Sequence, residues 1–484
     1  MKNKSVKIII YFLVLSLALV LRLYKIQSPL ADHHSWRQAD SASVIRNLAF
    51  NKFDILRPAW DNMVASNSKN LPNPNRYFFE DFPLSFDVYP AIFYKIFGSS
   101  VEVLRLSSVV FSLLSILFLG LLVNEFTGFW VGVFSAFVYA VLPFSIFFSR
   151  GVFQENPLNL YSILALFCLV RFLKKGKPVN FFLSILFNSL LFLTKPYALC
   201  FLLPEVFLFL QSWKLKSFKK VKFYSYFIFS LLPFVLWWVW ALRFPEGMPF
   251  SSWLLNEGNI RFKGAFFHWI FAERIGKLIL GNYGLIFFGL GLVILGKGDG
   301  FFYFWLISLL VYVSVIAKGN VTHDYYQIPL IPIFCIFLAK GTDWLIFEKK
   351  ELFNRAVCCL LFAVCSIFLF AFGWYEVRGF YNIQSGVDLA GEAVDQLTSK
   401  DSLVTTGDSN DATLLYNTNR WGWSAGYASE YPNSKETIER LKEKGASYYV
   451  TTKFDQNSEF GKYMIENYFL LKQSDQYIIF KLTD

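Results

Sequence analysis

The sequence predicts a polytopic α-helical membrane protein of about eleven transmembrane helices, with a small C-terminal α/β domain outside the cytoplasm. Three observations predict it. Of 484 residues, 55% are hydrophobic and 20% aromatic while only 17% are charged, too apolar a composition for one water-soluble domain. Eleven stretches are long and apolar enough to cross a bilayer. After Trp374 the chain turns abruptly polar, with the patterning of a soluble fold.

The first apolar stretch, 7–23, follows the basic MKNKSVK. This resembles a secretory signal, but no small-residue cleavage site follows, so it reads as a retained signal anchor. The other stretches are 105–123, 129–147, 157–173, 180–194, 196–211, 223–242, 279–296, 301–317, 325–341 and 355–374. The two separated by TKP (194–196) count separately. As one helix their 32 residues would run roughly 48 Å, well beyond a core of about 30 Å.

Two crossings there also keep KKGK (174–177) and KLKSFKK (214–220) on the same side, as the positive-inside rule asks. With the N-terminus cytoplasmic, those clusters and FEKKELFNR (347–355) all face the cytoplasm. An odd number of crossings then leaves the tail outside. The expectation is a multi-pass protein of the plasma (inner) membrane. Its domains are 1–374, with a large first outer loop at 24–104, and 375–484.

In the tail, DSLVTTGD, ASYYVTT and QYIIFKL read as strands, and SKETIERLKEKG as a helix capped by Ser434 and stopped by glycine. No nucleophile motif or phosphate loop appears there. All six cysteines lie in apolar segments, where packing accounts for them. The formal charge of +11 comes from short lysine clusters beside apolar runs, which speaks for topology and against a nucleic-acid partner.

Once sides are assigned, the unusual polar residues collect outside. The first outer loop holds DHHSWRQAD (32–40) and the carboxylates Glu80 and Asp81 in FFEDFPLSFDVYP. Arg150 and Glu155 lie in the second, Lys195 in the third, Arg261, His268, Glu273 and Arg274 in the fourth, and His323 and Asp324 in the fifth. All four histidines are on this side. Ionisable groups gathered at one membrane boundary suggest a site, although any one of them can simply reach for water. The segment from Ser41 to Leu56 has roughly helical apolar spacing, is too short and polar to span, and is expected to lie along the outer surface.

A cleft lined with arginine, lysine, histidine and carboxylates suits a phosphorylated lipid: cations hold the phosphate and a carboxylate acts as base. A transferase on that face would need its sugar activated on a lipid such as a polyprenyl phosphate. His33 and His34 beside Asp32 raise the question of a metal. Adjacent side chains rarely chelate one ion together, and no Cys/His ligand spacing appears, so no residue is assigned to a metal and a divalent ion is left open.

These residues resemble the GT-C class of membrane glycosyltransferases, especially protein O-mannosyltransferases and bacterial aminoarabinose transferases that modify lipid A. The resemblance rests on ADHHSWRQADSASVIRN after the first span, then EDFPLSFDVYPAIFYKIFG and RLSSVVFSLLSILFL. Further on come YAVLPFSIFFSRGVFQENPLNLY, LLFLTKP and HDYYQIPLIPIFCIFLAKG. It implies a polyprenyl-phosphate sugar donor, a hydroxyl or phosphate on a lipid, glycan or protein acceptor, inversion at the anomeric carbon, and a first-loop carboxylate as general base.

One departure matters. Many relatives carry an Asp-Glu pair where this chain, aligned on Arg46, has Arg37 and Gln38. Asp32 and Asp40 flank that position, and Asp40 is preferred as base because it leads into a helix-like segment, where it would sit near a helix N-terminus or act as a plain cap. Arg150 and Lys195, helped by Arg37 and His323, are expected to hold the donor phosphate. Glu80, Asp81, Glu155, His33 and His34 are expected to orient these groups or meet the acceptor. Two other functions stay open: a lipid-linked sugar flippase or transporter, disfavoured by spans nearly free of charge, and an oligosaccharide ligase.

Overall fold

A computed structural model of the chain describes residues 4–64, 71–248, 251–296, 298–348, 354–408, 412–424 and 433–483. The start of MKNKSVK and most of FEKKELFNR lie outside the described residues. Seven described helices are long and apolar enough to cross a membrane, and nine if each of two bent pairs counts as one span. The expected stretches 180–194 and 301–317 form Pro178–Thr194 and Gly300–Val315, of 17 and 16 residues, shorter than the roughly 20 that a straight crossing takes. The multi-span helical fold is as the sequence predicts.

The chain divides into two compact units. A helical unit comprises Met1–Ile26, Leu106–Trp237 and Ser251–Gly379; a mixed unit comprises Gln27–Arg105, Trp238–Phe250 and Phe380–Asp484. Compactness thus groups most of the first loop with the tail, whereas the sequence drew its boundary at 374.

In the helical unit the stretch at 129–147 is two helices, Phe129–Val141 and Pro143–Arg150, bent by 66°. The residue before a proline is pushed out of the helical region, and Leu142 is extended at ψ 122°. A break of this kind frees carbonyls inside apolar surroundings, where each must be satisfied. Arg22 does so. Its buried guanidinium donates to the carbonyls of Tyr139 (3.2 Å) and Ala140 (3.0 Å), to Ser112 Oγ (2.9 Å) and to Ser145 Oγ (3.0 Å).

The second bent pair, Gly264–Ile279 and Gly284–Val293, turns by 114°. The stretch expected at 279–296 therefore contains only a ten-residue helix. The backbone reverses at Gly281 and Asn282, both at positive φ. Gly284–Val293 then packs directly on Ile331–Asp343: a Cβ at Gly291 would fall 1.9 Å from the Phe337 carbonyl, and one at Gly341 2.0 Å from that of Phe287. Small residues permit this approach in membrane helices.

The mixed unit is built on a five-stranded sheet: β1 Leu403–Thr406, β2 Gly422–Ser424, β3 Ala446–Thr451, β4 Phe469–Gln473 and β5 Ile478–Lys481. The order is β2-β1-β3-β5-β4. β2 and β3 run parallel to β1, and β5 is antiparallel to β3 and β4. β1, β3, β5 and the Lys435–Glu443 helix fall on the predicted segments, and Ser434 Oγ accepts from the Thr437 amide at 3.2 Å as the predicted cap. β2 is three residues long and β4 is mostly exposed, so neither carries a burial pattern legible in sequence.

One sheet face buries Val404, Val450 and Ile479 with Val387, Val394, Leu414 and Leu415, and Ala31 joins them. The other buries Tyr449, Ile478 and Phe480 with Ile438, Leu441 and Met464, together with Val64. Residues of the first loop also cover the β2 edge. The Met63 amide donates to the Gly422 carbonyl (2.7 Å), the Gly422 amide to the Asp61 carbonyl (3.1 Å), and Asn62 bonds Ser424. An exposed edge invites unwanted pairing, and here the loop occupies it.

The surface helix expected after Ser41 is corrected. The helix runs Ser35–Phe50, and Arg37, Gln38, Asp40, Ser41, Ser43 and Asn47 along it are all buried. Its small and polar side chains fit because partners meet them inside: Asn47 Nδ2 donates to Asp61 Oδ1 at 2.8 Å.

Candidate functional site

The predicted residues divide between the two units. In the mixed unit, residues 30–35 are held in place mostly through their backbone. The His33 amide donates to the Phe380 carbonyl (3.1 Å), the Gln384 amide to that of Ala31 (2.8 Å), and Asn417 Nδ2 to that of Leu30 (3.1 Å). His33 also stacks on Phe380 with ring centroids 3.8 Å apart and lies against His34 at 4.0 Å. His34, at φ 53°, is the residue from which the Ser35–Phe50 helix starts; histidine is among the few side chains enriched in that conformation.

Asp32 is buried, and each of its oxygens has a partner. Gln38 Nε2 donates to Oδ1 at 2.7 Å, and Arg105 Nη2 to Oδ2 at 2.9 Å. Next to Gln38 in the helix, Arg37 forms a buried ion pair with Asp81 and lies 3.7 Å from Glu80. Arg37, expected on a lipid phosphate, is thus engaged by the two carboxylates expected at the acceptor.

Asp40 is the sixth residue of the helix and fully buried (0% exposed). It is neither a cap nor a first-turn dipole partner, because the helix begins six residues earlier than the apolar spacing indicated. The cause is that Arg37, Gln38 and Asp40 look solvent-facing in sequence but find partners within the fold.

In the helical unit, Arg150 ends the Pro143–Arg150 helix, buried, with Nη1 on the Lys25 carbonyl at 2.9 Å and its guanidinium 5.1 Å from the Phe147 ring. Glu155 opens the next helix, fully buried, and accepts from the Tyr197 hydroxyl at 2.6 Å. Tyr197 packs on Tyr312 at 4.7 Å, and Tyr312 donates to the Tyr326 carbonyl at 2.8 Å. Lys195, also buried, sits in extended backbone just before Pro196. His323 is half-buried and stacks on Tyr325 at 5.4 Å. Asp324 is held by Arg274 at 3.3 Å. His268 is largely exposed and pairs with Glu273 at 3.6 Å.

Sequence reasoning missed Arg105, Tyr197 and the Arg46–Asp61 ion pair. Arg105 is the first residue of a predicted span, where a lone arginine reads as reaching for water. Tyr197 follows a lysine-proline pair in an apolar run, and aromatic residues abound in this chain. For Asp61 no sequence signal existed.

Residues 81–240 match the model of the dolichyl-phosphate-mannose-protein mannosyltransferase family, a segment that takes in Asp81, Arg105, Arg150, Glu155 and Lys195. A search of curated protein sequences gives no significant match. The structure is similar to ArnT from Cupriavidus metallidurans in the apo state, at TM-score 0.67 and 12% identity over 98% of this chain and 97% of that one. It is similar to the same protein bound to undecaprenyl phosphate, at TM-score 0.64 and 13% identity over 98% of each chain. It is also similar to the archaeal oligosaccharyltransferase AglB from Archaeoglobus fulgidus in complex with an inhibitory peptide and a dolichol-phosphate. There the TM-score is 0.60 and the identity 11%, over 93% of this chain and 69% of that one.

The chain has the GT-C fold. Within that fold the likeness runs nearly end to end, through the mixed unit as well as the helices, while the family match begins only at Asp81. The motif at 32–40, where this chain departs from the Asp-Glu pattern, lies before that match.

Proposed function

We propose that this GT-C protein is an integral-membrane glycosyltransferase. It moves a sugar from a polyprenyl-phosphate carrier to a hydroxyl or phosphate of a lipid, glycan or protein acceptor on the extracytoplasmic face, with inversion. In this reading the N-terminus is cytoplasmic, and residues 375–484 form the extracytoplasmic domain. The observation that carries the reading is a pair of buried aspartates at the start of the first loop, one fixed through both oxygens, in a chain of this fold.

Asp40 takes the acceptor proton. Asp32 is the poorer base, because both of its oxygens are already taken up as acceptors, one by Gln38 and one by Arg105. As the proton leaves, the acceptor oxygen attacks C1 from the face opposite the phosphate, the C1–O bond to phosphate breaks, and the carrier departs as polyprenyl phosphate. Arg150, Lys195 and His323, all of the helical unit, neutralise the departing phosphate; charge-assisted bonds of that kind are the strong ones. Arg37, expected to help them, is engaged by Asp81 and Glu80 and is left out of this step.

The test is donor choice. Membranes containing the protein are supplied with a radiolabelled polyprenyl-phosphate hexose or pentose, or with the matching nucleotide sugar under conditions that block lipid charging. Label should reach an acceptor only from the lipid-linked donor. Transfer from the nucleotide sugar alone would overturn the reading. Movement of the lipid-linked sugar across the bilayer without transfer would replace it with transport.

A further inference from the structure

A cleft of about 580 Å³ with a mixed polar and apolar lining lies wholly within the mixed unit, lined by Arg46, Phe50, Asn51, Asp61, Asn419 and Trp421 among others. Its size is that of ligand clefts, about 300–1,000 Å³. A smaller hollow of about 200 Å³ shares Asn51 with it and adds Asn47, Asn75, Arg57 and Arg76. None of these residues takes part in the transfer chemistry above.

Two features of the lining narrow the ligand. The cations are already committed. Arg46 pairs with Asp61, both Lys400 and Arg420 with Asp395, and Arg57 with Asp54. Burial works against the charge on the Arg46 guanidinium, and Asp61, through its field and its hydrogen bond, together with Tyr416 and Tyr94 outweighs it. Arg76 lies 3.7 Å over the Trp421 ring and donates to the Trp60 carbonyl at 2.6 Å. A phosphate site would keep positive charge in hand, and this cleft has spent most of its own internally.

What is left on offer is amide and aromatic surface. Asn51 and Asn419 each give one amide hydrogen to a neighbour, Asn47 and Asp395, which leaves the second amide hydrogen and the carbonyl oxygen of each, and Asn75 adds another amide to the lining of the smaller hollow. Trp421 and Phe50 remain 40% and 52% exposed, a large apolar area to leave in water beside polar groups. A ligand that matches this lining has closely spaced hydroxyls, each needing a donor and an acceptor, and apolar C–H faces to lie on the rings.

We infer that this cleft binds a neutral oligosaccharide. Its role, holding the sugar portion of the acceptor, rests on the transferase reading; the binding itself does not.

The test uses the full-length protein in lipid nanodiscs and a panel of soluble neutral manno-, gluco- and galacto-oligosaccharides, with inorganic phosphate as comparator. Binding is read by saturation-transfer NMR and calorimetry. At least one oligosaccharide should bind the wild type. Trp421→Ala and Asn51→Ala should each weaken that binding about tenfold, while Trp421→Phe, which keeps a ring, should retain most of it. Unfolding temperatures near that of the wild type keep the Ala variants interpretable. Absence of binding across the panel, equal binding by the Ala variants, or displacement of the oligosaccharide by phosphate would each overturn the inference. Asp40→Asn should leave this binding intact, so a failure of the transferase reading and a failure of the cleft are told apart.

Discussion

At the scale of single residues, the motif at 32–40 is held by charge placed out of water. Asp32 and Arg105 are both essentially inaccessible. A buried pair contributes modestly as a pair, but removing one partner strands the other, typically at about 3–5 kcal/mol. Arg105→Ala should therefore lower stability by about that amount, read by thermal unfolding in detergent. Arg105→Ala combined with Asp32→Asn should recover part of the loss, since no lone carboxylate remains. Equal losses in the single and double variants would mean that the pair is not what Arg105 serves. The role of Arg105 was hidden in sequence by its position at the start of an apolar run. Asp32 was legible because nothing in a membrane anchor calls for an acid there.

At the scale of elements, helix packing and helix breaks do the positioning. Pro143 made the bend before Arg150 foreseeable in principle, yet a continuous apolar run outweighed it in the reading of 129–147 as one span. That Arg22 would satisfy the freed carbonyls of Tyr139 and Ala140 could not be read, because such a contact depends on which helices become neighbours. The same holds for Gly291 and Gly341, whose value lies in a partner helix. Gly341→Ala would press a methyl onto the Phe287 carbonyl, and overpacking of this kind costs about 1–3 kcal/mol. Gly379→Ala meets nothing within 4 Å and should stay within about 0.5 kcal/mol of wild type. Comparable unfolding temperatures for the two variants would show that the helices tolerate separation. The Ser35–Phe50 helix was misplaced for a related reason. Its polar side chains suit a wet surface as well as a polar interior, and only tertiary partners decide between them.

At the scale of the whole molecule, hydrophobic periodicity and length carried the multi-span fold, and the change of composition at Trp374 carried the tail's sheet. The grouping of the first loop with the tail was not legible. It depends on Ala31 and Val64 entering the two sheet cores and on Asp61, Asn62 and Met63 covering the β2 edge, contacts hundreds of residues apart in sequence. The candidate site was legible as a set of residue types and less so as pairings. Arg37 was chosen for a lipid phosphate and is found with Asp81 and Glu80. Glu155, expected to orient Arg150, accepts from Tyr197, a partner that no spacing in the sequence indicated.

The central claim is that a buried first-loop aspartate deprotonates the acceptor in sugar transfer from a polyprenyl phosphate. The most direct measurement is the single-turnover rate of transfer from a defined polyprenyl-phosphate sugar by wild type, Asp40→Asn and Asp32→Asn, each verified as folded and able to bind the donor. Asp40→Asn should slow transfer by about 10²–10⁴-fold, the usual contribution of a general base, with donor binding retained and Asp32→Asn less affected. Full-rate transfer by both variants would contradict the account.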